Sequence, residues 1–373
     1  MRIGLEVSPL AVNASGIPNY IRRLLKGFSA VGEDHEFFLY TNRPIPEDLH
    51  LPDNFSTVIL NRPSPRFQLW FQTALPRRLK KDRIDVFHGL FSRLPLLLPV
   101  PGVITVHDLS AYKMPGLHKR HTHMTNLLYP MFVKKASAII AVSAFTAKEI
   151  VSCFPGASRK TVVVHEAAPP EYSMVTEGPA LERTREKLDL PSRFVLFLGT
   201  LEPRKNLPRL LEAFSAICDE IPHKLVLSGP IGWKSSELKA KLQDPAIRSR
   251  VQLTGFVDAG DIPALLSLAE IFVYPSLYEG FGLPVLEAMA CGTPVITSST
   301  SSLPEVAGDA ALLVDPESVP AISKAVVRLA GDENLRENLR ERGLERSRRF
   351  SWTRAAGETL DVYRQMIAAL ESG

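Results

Sequence analysis

Two glutamates flank a glycine-rich turn that carries the strongest chemical signal in the sequence. Glu279 precedes the turn Gly280-Phe281-Gly282-Leu283-Pro284, and Glu287 follows it on a predicted helix that ends near Gly292. Glycine and proline disfavour a helix before Pro284, so the unpaired amides of the first helical turn face this loop. Such amides attract phosphate, and carboxylates can accept the paired hydroxyls of sugar and ribose rings. Glu279 alone would suit a solvated turn, and Glu287 alone could merely complement the helix dipole, but the combined pattern predicts a nucleotide-sugar site.

A second cluster, Gly199-Thr200-Leu201-Glu202-Pro203-Arg204-Lys205-Asn206, follows the predicted strand Phe194–Leu198. The carboxyl end of a strand is the natural ligand crevice of a Rossmann-like sheet. Arg204 can grip a diphosphate with two parallel hydrogen bonds, and Lys205 can add a point charge. Together they could stabilise a departing nucleoside diphosphate without a metal ion. The alternative is a solvated helix start that happens to carry two cations.

The first half of the sequence offers two further candidates, each with an ordinary structural alternative. His107 stands at the carboxyl end of the predicted strand Val103–His107, where it could donate to a sugar hydroxyl or be satisfied by the backbone. Gly16 lies in the loop after the first predicted strand, where it could approach phosphate or form an ordinary strand-to-helix turn.

Alternating apolar runs and amphipathic stretches place these residues on two doubly wound α/β domains. A length of 373 residues also favours two domains. The predicted domains are residues 1–172 and 192–350, joined by a linker over 173–191 and followed by a helix over 351–373 that can return to the first domain. The predicted strands are Arg2–Val7, Glu36–Tyr40, Val58–Leu60, Ile84–His88, Val103–His107, Ala138–Val142 and Val162–His165 in the first domain, then Phe194–Leu198, Lys224–Leu227, Val251–Leu253, Ile271–Tyr274, Pro294–Thr297 and Ala311–Val314.

The segment from Glu279 to Glu287 resembles the E-x7-E signature of retaining GT-B glycosyltransferases, especially glycosyltransferase family 4. The segment from Gly199 to Asn206 looks like that of bacterial polysaccharide and O-antigen mannosyltransferases in this family. The resemblance implies the GT-B fold, in which two Rossmann-like domains face each other across a cleft. It also implies hexose transfer with retention of configuration, most simply mannose from GDP-mannose, to a hydroxyl of a glycan or lipid-linked acceptor.

The same resemblance implies a role for each candidate residue. The catalytic candidates are His107 and Glu279, with Glu279 on the sugar. Glu287 is expected to bind the ribose, and the region of Phe256 and Val257 is expected to contact the nucleobase. The residues expected to bind the donor diphosphate are Arg204, Lys205, Gly16, Phe281, Gly282 and Leu283. We expect no cofactor and no metal, since the nucleotide sugar is a co-substrate and the sequence has no Asp-x-Asp motif. Three alternatives stay open: a UDP-sugar donor, a UDP-sugar 2-epimerase of the same fold, and a non-catalytic nucleotide-sugar-binding subunit.

Charge and cysteine content indicate which partners and which cellular location the sequence favours. Residues 1–170 carry 21 Lys and Arg against 12 Asp and Glu, so this half has a net charge of +9 within an overall +4. The basic stretches Arg77–Lys81 and His118–His123 suit either a solvated surface or an anionic membrane surface. Nucleic acid is not expected as a partner, because no binding module is recognisable. Three scattered cysteines and the lack of an apolar spanning segment predict a cytoplasmic protein, with the inner face of the membrane as a possible site of peripheral attachment.

Overall fold

The computed structural model describes residues 1–11, 16–46, 48–60, 70–114 and 123–371. The chain forms two compact units, one comprising Met1–Glu166 with Ser351–Gly373 and the other comprising Ala167–Phe350. The first unit ends a few residues before the predicted boundary at 172. It extends as far as Glu166 because the chain after the last strand still bonds to this unit, for example through the Val164 amide and the Ala141 carbonyl oxygen at 3.0 Å.

The first unit is built on a parallel sheet. In the described residues its strands are β1 (Arg2–Glu6), β2 (Glu36–Thr41), β3 (Phe55–Ile59), β4 (Val86–Gly89), β5 (Gly102–Val106), β6 (Ala138–Ala141) and β7 (Thr161–Val163). Their order is β3-β2-β1-β4-β5-β6-β7, and every neighbouring pair is parallel. All five residues of β5 are buried, as expected for a parallel strand that is covered on both faces.

Helices cover this sheet. They are α1 (Ile17–Val31), α2 (Leu75–Lys81), α3 (Ser110–Lys113), α4 (His123–Lys135), α5 (Ala144–Cys153) and, from the end of the chain, α15 (Trp352–Glu371), with 3-10 turns at Ser8–Ala11 and Pro155–Lys160 and a π-helical turn at Trp70–Ala74. Helix α1 shows why the sequence folds this way, since its buried residues recur on one face at Ile21, Leu24, Leu25 and Phe28. Much of the basic stretch 118–123 lies outside the described residues.

The C-terminal helix α15 packs on α1 and is tied to the core by a buried polar chain. Gly27 permits the close approach, because a Cβ at this position would lie 2.4 Å from the Trp352 carbonyl oxygen. The Tyr363 hydroxyl lies 2.5 Å from His88 Nδ1, and His88 Nε2 lies 2.8 Å from Thr105 Oγ1. Burial lowers the pKa of His88 to about 3, so the ring is neutral. A neutral imidazole has one donor and one acceptor nitrogen, which suits two hydroxyl partners.

The second unit repeats the same architecture. In the described residues its strands are β8 (Phe194–Leu198), β9 (Lys224–Ser228), β10 (Val251–Gly255), β11 (Ile271–Tyr274), β12 (Val295–Ser298) and β13 (Ala311–Val314). They lie in the order β10-β9-β8-β11-β12-β13, and neighbours are again parallel. Each predicted strand in the two units overlaps an observed one, so the prediction of two Rossmann-like sheets is confirmed.

The helices of the second unit are α6 (Pro179–Lys187), α7 (Leu207–Ser215), α8 (Ser236–Lys241), α9 (Pro245–Arg248), α10 (Ile262–Leu268), α11 (Leu283–Ala290), α12 (Leu303–Ala307), α13 (Val319–Gly331) and α14 (Glu333–Ser347), with a 3-10 turn at Pro203–Lys205. Helix α6, which is 9 residues long, lies within the segment 173–191 that the sequence pattern predicts to be a linker. Across the described part of both units, none of the helices is long and apolar enough to cross a membrane.

Candidate active site

The carboxyl ends of β8 and β11 bring together residues from both predicted motifs. The strand order reverses between these two neighbouring strands, so the chain leaves them toward opposite sides of the sheet and a crevice forms. Arg204 and Lys205 follow β8, and Glu279 follows β11. Two segments more than 70 positions apart in sequence therefore meet at one point of the sheet edge.

A short 3-10 helix (Pro203–Lys205) fixes the two cations after β8. Asn206 ends this turn in the left-handed region, at a φ of 62°. Asparagine tolerates this conformation better than most residues. Its side-chain Nδ2 donates to the carbonyl oxygens of Pro275 and Pro316 at 3.1 and 2.6 Å. The loop after β8 is thereby tied to the loops that follow β11 and β13.

Glu279 is the centre of a buried ionic cluster. One carboxylate oxygen, Oε2, accepts a hydrogen bond from Arg204 Nη1 at 2.9 Å. The other, Oε1, accepts from Lys205 Nζ at 2.6 Å, from Ser276 Oγ at 2.6 Å and from the Tyr274 hydroxyl at 3.1 Å. Only 6% of Glu279 is exposed. The carboxylate is thus held in one orientation by four side chains.

The electrostatics of the cluster favour the charged form of Glu279. Burial opposes ionisation, but the charges of Arg204 and Lys205 and the hydrogen bonds from Lys205 and Ser276 lower the pKa of Glu279 to about 2. Burial lowers the pKa of Lys205, and Glu279 counteracts that effect. Tyr274 stays neutral, since burial and the nearby carboxylate raise its pKa well above the usual value.

Glu202 also belongs to this cluster, although the sequence motifs alone assign it no role. It is 7% exposed, and its Oε1 accepts from Arg204 Nη2 at 3.0 Å and from Nε at 3.3 Å. Arg204 Nη1 also donates to the Tyr278 carbonyl oxygen at 2.9 Å. The guanidinium therefore spans two carboxylates, those of Glu202 and Glu279. An acid two residues before an arginine in a strand-to-helix turn was a signal that could have identified Glu202.

Helix α11 begins beside this cluster. Gly282 is its N-cap, with a φ of 110°, and a Cβ there would lie 2.7 Å from Leu303 Cδ2, so the turn requires glycine. Ser302 Oγ donates to the Phe281 carbonyl oxygen at 2.6 Å and lies 3.0 Å from the Glu279 carbonyl oxygen, which fixes the backbone of the turn. The predicted amide donors at Phe281, Gly282 and Leu283 thus stand at the start of α11, where a helix attracts anions.

The remaining predicted residues of the second unit differ in exposure. The Phe281 side chain is buried and meets the Phe350 ring edge-on at 5.8 Å, so it packs in the core. Glu287 lies one turn into α11 and is half-buried. Phe256 directly follows β10 and is 74% exposed, whereas the neighbouring Val257 is buried. A large exposed ring at the carboxyl edge of the sheet is available to a planar ligand.

The first unit holds His107 just beyond β5, in contact with Glu166, an acid that the sequence motifs do not single out. Its Nδ1 lies 3.0 Å from Glu166 Oε1, and its Nε2 lies 3.0 Å from the Leu90 carbonyl oxygen. Burial opposes a charge on the ring, but the hydrogen bond and charge of Glu166 raise the pKa of His107 above its ordinary value. Glu166 directly follows the predicted strand Val162–His165, so an acid at a strand end was the available signal.

Gly16 is placed at the start of α1. It has a φ of 84°, it is the N-cap of the helix, and its carbonyl oxygen accepts from the Tyr20 amide at 3.0 Å. This geometry requires a residue that tolerates positive φ.

In the part of the chain that the structure describes, no group of three or more His, Cys, Asp or Glu residues is arranged to hold a metal ion.

Comparison with known families and proteins agrees with this architecture. Residues 14–172 match the family described as Glycosyltransferase Family 4, and residues 181–346 match Glycosyl transferases group 1. O-antigen chain mannosyltransferase B of Escherichia coli is 31% identical over 381 residues, which cover 98% of this chain and 100% of that protein. The chain therefore belongs to the family 4 glycosyltransferases and is an enzyme of the glycosyltransferase class.

Solved structures support the same fold. Sucrose-phosphate synthase from Thermosynechococcus elongatus is 23% identical with a TM-score of 0.76, covering 99% of each chain. Anabaena Alr3699/HepE, solved in complex with UDP and glucose, is 18% identical with a TM-score of 0.72, covering 100% of this chain and 99% of its own. The predicted GT-B class, with two Rossmann-like domains, is confirmed.

Proposed function

We propose that the enzyme transfers a mannosyl group from GDP-mannose to a hydroxyl of a glycan or lipid-linked acceptor, with retention of configuration and without a metal ion. The observation that carries the proposal is the buried cluster of Arg204, Lys205 and Glu279 beside the start of α11. The mannosyl assignment is supported by the full-length relative that is named a mannosyltransferase. That a nucleotide sugar is the donor is supported by the structural relative solved with UDP and glucose.

The charges of the cluster explain how it could hold a diphosphate. Glu202 and Glu279 balance Arg204 and Lys205, so these four groups sum to zero before the donor binds. An ammonium group has three N–H donors. The contacts of Lys205 among the described residues use two of them, on Glu279 and the Tyr274 hydroxyl, and we assign the third to a phosphate oxygen. The start of α11 supplies further partial positive charge.

In this scheme each side chain has one task in the transfer. Lys205, the charge of Arg204 and the amides near Gly282 stabilise the nucleoside diphosphate as it leaves, which is the task a metal ion performs in other transferases. Glu279, whose orientation is fixed by four partners, accepts hydroxyls of the transferred sugar. Glu287 takes the ribose, and the exposed Phe256 lies beside the nucleobase. His107 is the catalytic candidate that belongs to the first unit.

A donor panel assayed with and without EDTA tests this function. We expect release of GDP from GDP-mannose only when acceptor is present, with no loss of rate in EDTA, and NMR of the product should show the donor's anomeric configuration. Exclusive turnover of a UDP-sugar would reassign the donor, and inversion or a strict need for Mg²⁺ would refute the mechanism. Conversion of the donor's sugar without acceptor would instead identify an epimerase. Binding without any turnover would identify a non-catalytic subunit.

We also propose that the enzyme works in the cytoplasm at the inner face of the membrane, with anionic lipid as a partner of the first unit. Helix α2 exposes Arg77, Lys80 and Lys81, and residues 1–170 carry a net charge of +9. Clustered cations of this kind bind anionic headgroups. Co-sedimentation with phosphatidylglycerol vesicles but not with phosphatidylcholine vesicles is expected. Equal co-sedimentation of the protein with both kinds of vesicle would refute anionic lipid as a partner.

A further inference from the structure

Both ring nitrogens of His107 face hydrogen-bond acceptors. The Leu90 carbonyl oxygen, 3.0 Å from Nε2, can only accept. A carboxylate oxygen of Glu166, 3.0 Å from Nδ1, is also a hydrogen-bond acceptor. A neutral imidazole carries one N–H and could satisfy only one of these partners. The two contacts are satisfied together when the ring carries a proton on each nitrogen.

The charged and titratable groups around the ring favour that state. Glu166 arrives from the segment after β7 and is 6% exposed, and Asp108 adds a second negative charge from the next residue along the chain. Tyr20, on α1, meets the ring edge-on at 4.5 Å and is kept neutral by burial, which raises its pKa. His88, on β4, is also neutral. Negative charge therefore outweighs positive charge around His107.

We infer that Glu166 is a positioning residue that holds the His107 imidazole with a proton on each ring nitrogen, so that the first unit presents a fixed cation rather than a base. Such a ring can stabilise negative charge, but it cannot take the proton from an acceptor hydroxyl. The inference rests on the proposed function only for the role of this cation in transfer. The protonation state itself can be measured without any substrate.

The first experiment follows the ring by NMR in full-length protein with ¹⁵N-labelled histidine. The His107 signal is assigned with His107→Gln and followed over pH in wild type and in Glu166→Gln. Glu149→Gln is the matched control, because it makes the same chemical change at another carboxylate of the first unit, one that bonds Lys113 at 2.6 Å. We expect both nitrogens of the wild-type ring to be protonated at pH 7, with a pKa above 6.5.

Loss of the carboxylate should lower the His107 pKa by about 1 unit or more, because an opposite charge in contact typically shifts a pKa by about 1–3 units. Glu149→Gln should leave it unchanged. A neutral ring in the wild type at pH 7, or the same His107 pKa in wild type and Glu166→Gln, would overturn the inference. The wild-type measurement alone decides the protonation state should Glu166→Gln not fold.

The second experiment asks whether transfer uses this cation. Turnover of wild type should fall as the pH rises through the raised pKa of His107, and the same alkaline limb should lie at lower pH in Glu166→Gln. Coincident pH profiles, despite an altered ring pKa, would deny the cation a role in transfer. Absence of turnover with every donor would defeat the proposed function instead, and the NMR result would still stand.

Discussion

Replacing Glu279 by glutamine should destabilise the second unit by an amount that depends on pH. The pKa of this carboxyl is lowered from 4.5 to about 2, and each unit corresponds to about 1.4 kcal/mol. The ionised carboxylate therefore contributes on the order of 3 kcal/mol. This estimate falls within the range of about 3–5 kcal/mol that is typical when one partner of a buried ion pair is removed.

The sign of the pH dependence follows from the lowered pKa. A carboxyl whose folded-state pKa is depressed contributes fully above its unfolded value, and the contribution is lost as the pH falls through 4.5 toward 2. The difference between wild type and Glu279→Gln should therefore be largest at pH 7. It should narrow steadily below about pH 5.

Hydrogen exchange of the slowest amides in β8 and β11 measures this effect, because it reports the opening free energy of the unit that carries Glu279. Glu317→Gln is the control, since its side chain is 73% exposed and such changes usually stay within about 0.5 kcal/mol. Equal opening free energies for wild type and Glu279→Gln at pH 7 would refute the reasoning. A difference that grows on acidification would do the same.

Two further substitutions test the packing of each unit. Tyr363→Phe leaves His88 Nδ1 without its hydroxyl partner. The opening free energy of the β4 and β5 amides, measured by hydrogen exchange, should therefore fall by about 1–3 kcal/mol. Tyr112→Phe is the control: Tyr112 is half-exposed, so this variant should match wild type. Gly282→Ala forces a Cβ against Leu303 at a φ of 110°, so thermal unfolding should occur at a lower temperature. A melting temperature equal to that of wild type would show that the turn tolerates a side chain.

The architecture was predictable because its signal is local and repeated. Apolar runs such as Phe194–Leu198 and Ile271–Tyr274 are long enough to identify buried strands, and a parallel sheet places their carboxyl ends at one edge. The convergence of Arg204 with Glu279 could therefore be expected before the contacts were known.

The charge partners were not predictable in the same way. Glu202 and Glu166 are acidic residues near strand ends, and nothing in the local sequence distinguishes them from other acids. Only the folded structure shows that Glu202 bonds Arg204 and that Glu166 contacts His107. Sequence likewise could not separate the two parts of Phe281, whose backbone lies in the candidate site while its ring packs in the core. Side-chain direction at a turn depends on tertiary packing, which no local pattern encodes.

Calorimetric titration in EDTA tests the central claim, that the Lys205 cluster binds the diphosphate of a nucleotide sugar. The titrations compare wild type with Lys205→Met and with Lys224→Met, which removes an exposed lysine at the opposite end of the neighbouring strand β9. We predict that Lys224→Met has the same affinity as wild type for GDP and the same affinity as wild type for GDP-mannose. Lys205→Met should bind about 10- to 100-fold more weakly, as expected for the loss of a charge-assisted hydrogen bond. Unchanged affinity in Lys205→Met, or wild type that binds no nucleotide, would contradict the account.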